Sequence, residues 1–269
     1  MLSLSLMGAF VVDRLMPGWR RFRDFRRLDD AYRRISKFDP IAQLPSWLFV
    51  LSLVVIPVIL VSLLQVLVDG IFGQLLLFLL NLFIAFVCLD FSVLTADDNN
   101  SNDSQPAEDA GAEDIGSEAS VTIFARSNPA LYTPVFWMVL AGPLALVFYR
   151  LLERLPQSPV LKNHQDSLSI IRTLTAWLEW LPAILSGLLF MLCGNFDAGW
   201  KELVKTPLLE DDLARLNQTR LNSVGLAAMN AAPQSANPVD SVKQAGDLCL
   251  RALLVWFLLA TVYEWLISA

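Results

Sequence analysis

The sequence predicts an all-α fold, a polytopic membrane helix bundle with a basic amphipathic helix at its cytoplasmic face. Three observations predict it. The 269 residues are 55% hydrophobic and only 17% charged, whereas soluble domains are about 45–50% apolar and about 25% charged. Mean hydropathy is +0.51. Uncharged apolar runs long enough to cross about 30 Å of hydrocarbon recur along the chain.

Residues 1–12 are apolar but too short to span. Asp13-Arg14 follow directly, with neither the leading positive charge nor the small-residue cleavage site of a signal peptide. The segment reads as a helix that enters the membrane partway or packs into the bundle. Nine basic residues then crowd before residue 38, among them Arg20, Arg21, Arg26, Arg27, Arg33 and Arg34. Leu15, Trp19, Phe22, Phe25, Leu28, Tyr32, Ile35 and Phe38 recur at steps of three and four, which is one helical face. Such a helix lies at a membrane surface and holds anionic lipid or a protein partner. Packing on a cytoplasmic loop is the plainer alternative. Residues 1–45 form this first region.

Residues 46–92 read as a transmembrane hairpin. Positions 46–68 carry no charge. Pro57 is expected to kink that span without ending it. Asp69-Gly70 reads as the turn, and 71–89 as the second span. Gln74 and Asn81 are polar but can bond a neighbouring helix.

Residues 93–130 read as an acidic, disordered cytoplasmic linker. Eight carboxylates and no basic residue fall in 97–118, with too little apolar surface to offset the entropy of ordering. The carboxylate register of a calcium loop is missing.

Residues 131–194 read as a third span, 131–149, and a marginal fourth. Gly142-Pro143 in mid-span is expected to bend the third and to leave the Val139 carbonyl without its helical donor. A helical pattern through Leu168, Ile171, Leu174, Leu178 and Leu181 leads into fourteen apolar residues ending at Gly194. Residues 195–247 read as a polar loop region and 248–269 as the last transmembrane helix. Glu264 near its end is expected to need a partner such as Arg172.

Charge sets the expected topology. Lys and Arg gather on the cytoplasmic side. With 178–194 crossing, fifteen basic residues lie inside and four outside; without it the split is ten to nine. Five crossings are therefore expected, with the C-terminus outside.

Catalytic motifs are sparse. There is no phosphate-binding GxxxxGK[ST], no GxGxxG, no GxSxG and no HExxH. The three cysteines, Cys88, Cys193 and Cys249, are far apart, and the single histidine excludes a multi-histidine metal site. Buried Cys acting as a small hydrophobe is expected. No catalytic residue, no metal site and no cofactor is assigned, and no nucleic-acid partner. The expected partners are a lipid bilayer and a cytoplasmic or membrane protein.

The run Thr133-Pro134-Val135-Phe136-Trp137, then Gly142-Pro143, then Phe148-Tyr149-Arg150, resembles the signature of the AmpE family. These membrane proteins are related to the CobD/CbiB cobinamide-phosphate synthases. The opening Asp13-Arg14-Leu15 and the later Trp180-Leu181-Pro182-Ala183 resemble that family too. The order of elements matches over most of the chain except the linker. The resemblance implies a regulatory or accessory inner-membrane protein, linked to β-lactamase induction and cell-wall recycling. The synthases follow their Tyr-Arg with Asn- and Asp-containing sequence. Here Leu151-Leu152-Glu153-Arg154 stands instead, and Ile184 replaces a family Arg. Both departures argue against synthase activity. A synthase-class enzyme and a small transporter are the alternative readings; uncharged span centres disfavour the transporter.

Overall fold

The computed structural model describes residues 2–16, 46–94, 112–158, 161, 165–229 and 238–268. The basic positions from Arg20 to Arg34 and most of the acidic stretch at 97–118 lie outside the described residues. The fold is all-α, and helices account for all regular structure among the described residues. In chain order these are α1 (Leu2–Leu15), α2 (Ser46–Cys88), α3 (Ala112–Ser127), α4 (Thr133–Ala141), α5 (Pro143–Arg154), α6 (Gln165–Cys193), α7 (Phe196–Lys205), α8 (Leu213–Ala228) and α9 (Pro238–Ser268).

Three helical stretches are long and apolar enough to cross a membrane: Leu48–Gly70, Gln165–Cys193 and Asp240–Ile267. They make the chain a membrane protein by length and composition. Gly73–Cys88 is a shorter apolar helix. Helices α2 and α6 run through Pro57 and Pro182 without ending.

The chain divides into two interleaved units. The first combines residues 1–89, 134–178 and 260–269. Here α2 breaks at Gly73 (φ 73°, ψ −173°), a conformation favoured by glycine alone. The turn therefore falls at Gly73 and not at Asp69-Gly70. Gln65, eight residues before it, donates from Nε2 to Oδ1 of Asn81, eight residues after it, at 3.0 Å. The two limbs thus fold back on each other, and a half-buried amide pair fixes their register. Helix α1 packs on α2, with Gly8 against Leu82. Helix α5 also packs along α2. Phe49, Val50, Leu53 and Val54 meet Leu151, Leu152, Leu155 and Leu161, and α6 adds Leu168 and Ile171.

The second unit combines residues 90–133 and 179–259. Its centre is aromatic. Phe190 of α6 lies 5.2 Å from Phe124 and 5.6 Å from Tyr132, centroid to centroid. The Tyr132 hydroxyl donates to the Cys249 carbonyl at 3.0 Å. Helix α8 packs on α3 through Gly225, which lies against the Phe124 ring.

Three further expectations are corrected. The expected span 131–149 is two helices of 9 and 12 residues, because Gly142 takes φ 83°, ψ −175° and Pro143 starts a new helix. The linker expected over 93–130 is helical from Ala112 onward, because the apolar residues at its far end, Phe124 above all, find a buried partner in α8. The polar region 195–247 holds α7, α8 and the first turns of α9. Its scattered Leu213, Leu216, Leu221 and Val224 are buried. The fourth span is in keeping with the structure: thirteen of its fourteen apolar residues lie in the 29-residue helix Gln165–Cys193, which is long enough to cross.

Gly142→Val is expected to destabilise the protein by about 1–3 kcal/mol, since a β-branched residue at this φ is strained. Gly70→Ala is the comparison, with nothing within 4 Å of the added carbon. Unfolding in detergent should separate the two.

Candidate functional site

The motif residues fall into both units. In the first unit Asp13 is buried in α1, and the Arg14 guanidinium sits over the Phe10 ring at 5.6 Å. Pro134 is buried in the first turn of α4, which continues directly from a π-helical turn at Asn128–Tyr132. Phe136 packs edge-on against Trp137 at 5.2 Å, and the Trp137 indole N–H donates to the Leu178 carbonyl at 3.2 Å. Gly142 and Pro143 form the break between α4 and α5. Tyr149 and Arg150 are buried on α5. The Arg150 guanidinium donates to the Glu153 carboxylate at 3.1 Å.

Beside the Gly142 break lies a cleft of about 600 Å³, lined by Val139, Leu140, Gly142, Leu2, Tyr263 and Glu264. Glu264 accepts hydrogen bonds from the Leu2 backbone N–H and the Ser3 hydroxyl. It therefore caps the positive end of α1, where a carboxylate is favoured. The expected partner of Glu264 is thus replaced by a helix terminus 262 residues away. Pattern reading along one chain had no signal for that pairing.

In the second unit, Trp180 and Pro182 lie on α6, with Pro182 buried. The Trp180 indole N–H donates to the Leu208 carbonyl at 2.9 Å. Arg220 of α8 donates to the same carbonyl at 3.3 Å and to that of Pro207 at 2.7 Å. Arg220 is 1% exposed, and its second terminal nitrogen has no partner. Burial pulls its pKa below the usual arginine value. The motif residue Trp180 and Arg220, which belongs to no motif, thus clamp one loop, whose Glu210, Asp211 and Asp212 stay exposed. The Asp212 side chain also accepts from the Arg215 N–H at 3.1 Å and starts α8. These acids fall in the region 195–247 that reads as a polar loop in the sequence, where no pattern singles out Arg220. A second cleft, of about 530 Å³, lies along α7 between Trp200, Lys201, Val204, Lys205 and Ala227.

Among the described residues no cluster of three or more His, Cys, Asp or Glu is placed to hold a metal. Cys88 and Cys249 are buried thiols and Cys193 is half-buried, all unbridged. What the arrangement provides is packing, capping and loop clamping. A scan against protein-family models and searches of curated proteins and of solved structures returned no match.

Proposed function

We propose that the chain is a multi-pass protein of the bacterial inner membrane with a regulatory or accessory role of the AmpE kind, in signalling linked to β-lactamase induction and cell-wall recycling. One observation carries the choice over a synthase. Directly after Tyr149-Arg150, where the related synthases have polar residues, Leu151 and Leu152 are buried in the apolar core against α2. Arg150 is itself engaged by Glu153 of its own helix. Those positions serve helix packing and hold no group for a phosphate or an amine substrate. The basic residues before position 38 favour a cytoplasmic N-terminal segment, and anionic lipid or a partner protein would be held by Arg20, Arg21, Arg26 and Arg27.

In a bacterium with an inducible β-lactamase and this gene, deletion is expected to change the enzyme level reached after β-lactam challenge. The intact gene is expected to restore that level, and a variant with the four arginines replaced by glutamine is not. Unchanged induction after deletion would sink the proposal. Restored corrinoid amide formation in cells lacking the cobinamide synthase would replace it with the enzymatic reading.

A further inference from the structure

Helix α7 starts three residues after Cys193, the end of a helix long enough to cross a membrane. It carries an exposed apolar stripe. Phe196, Trp200 and Val204 are 51%, 47% and 66% exposed. Steps of four advance only about 40° around a helix, so the three side chains share one side. The Phe196 and Trp200 rings stack at 6.0 Å with 10° between their planes.

Continuing around the same exposed side come Asp197, Lys201 and Lys205. Lys201 pairs with Asp197 at 2.7 Å and Lys205 with Glu202. The helix is therefore neutral, with its charges matched within itself. Its opposite side is committed, since Gly199 is buried against Met191 of α6. The exposed surface thus has an apolar half beside a charged half.

We infer that α7 lies in the boundary layer of the bilayer, with Phe196, Trp200 and Val204 among the upper acyl carbons and Lys201 and Lys205 toward water. Three features select lipid over a protein partner. The preceding helix already exposes Leu192, 66% accessible, so the apolar surface of the span continues into the stripe. Tryptophan and phenylalanine beside the end of a span suit the interfacial zone. The internally paired charges leave no net sign for a protein surface to recognise. The loop after α7 adds exposed Leu208 and Leu209, whose backbone is held by Trp180 and Arg220. The inference stands independently of the regulatory reading.

The test places a photo-crosslinking amino acid at Val204, and separately at Lys201, in the full chain expressed in native membranes. Both positions are exposed, so the fold is retained. After irradiation, mass spectrometry should find phospholipid adducts at Val204 several-fold above those at Lys201. Adducts to protein at Val204, equal lipid labelling at the two positions, or no lipid adduct at Val204 would each overturn the inference.

Discussion

Replacing Gly194 with alanine is expected to lower stability by about 2–4 kcal/mol, combining overpacking with a lost hydrogen bond. A carbon added there would clash with the Ala228 carbonyl oxygen and stand 3.0 Å from its carbon. That neighbour is backbone and has no rotamer to change. The same oxygen accepts the Asn195 N–H at 2.8 Å, so moving the end of α8 to make room also strips that bond. Asn195 is the residue whose side chain caps α7, accepting from the Ala198 N–H at 3.2 Å. One methyl group therefore disturbs the junction of α6, α7 and α8 together. Gly187→Ala is the control, since its nearest new neighbour is Val224 Cγ1 at 3.9 Å, an ordinary contact. Unfolding of both variants in detergent, read by denaturant titration, should show a loss for the first and little change for the second.

Arg220→Ala should cost about 3–5 kcal/mol, since charge-assisted bonds and a large buried volume vanish at once. Arg220 is among the largest fully buried side chains in the protein. Two effects compete there. Burying a cation with one nitrogen unpartnered is unfavourable, so its removal brings some relief. The carbonyls of Pro207 and Leu208 lose their donor, although Leu208 keeps the Trp180 indole. Arg220→Met separates the two, because it keeps most of the volume and drops the charge. If cavity formation dominates, methionine is clearly milder than alanine. If loop clamping dominates, the two are equally damaging. Arg220→Lys keeps the charge but lacks the planar fork that reaches two carbonyls, and should fall between wild type and alanine. Cleavage after Glu210 by a glutamate-specific protease gives an independent reading, faster wherever the clamp is lost.

The strongest features were legible because they are local. An uncharged run of membrane length predicts α2 without any knowledge of its neighbours, and period-3.6 leucines predict α6. The amide pair between Gln65 and Asn81 follows the expectation that Asn81 bonds a neighbouring helix. The burial of Cys88 and Cys249 follows from their apolar flanks. What stayed hidden depends on distant partners. Phe124 looks like one aromatic ring at the end of a polar tail until Gly225 opens a seat for it. Residues 196–205 look mixed because their apolar and charged residues share one exposed side. Arg220 carries no signal in a polar helix, since its acceptors are backbone carbonyls that any loop possesses. The break at Gly142 was visible as Gly-Pro, but the split into two short helices follows from the backbone angle alone.

The bond between Glu264 and the start of α1 has a consequence in time. The first unit needs residues 260–269 as well as residues 1–89. A ribosome adding about 5–20 residues per second takes roughly 15–50 s to travel between those two ends. Throughout that interval the first amides of α1 lack the Glu264 carboxylate. Unit one therefore closes only after residue 264 has been made.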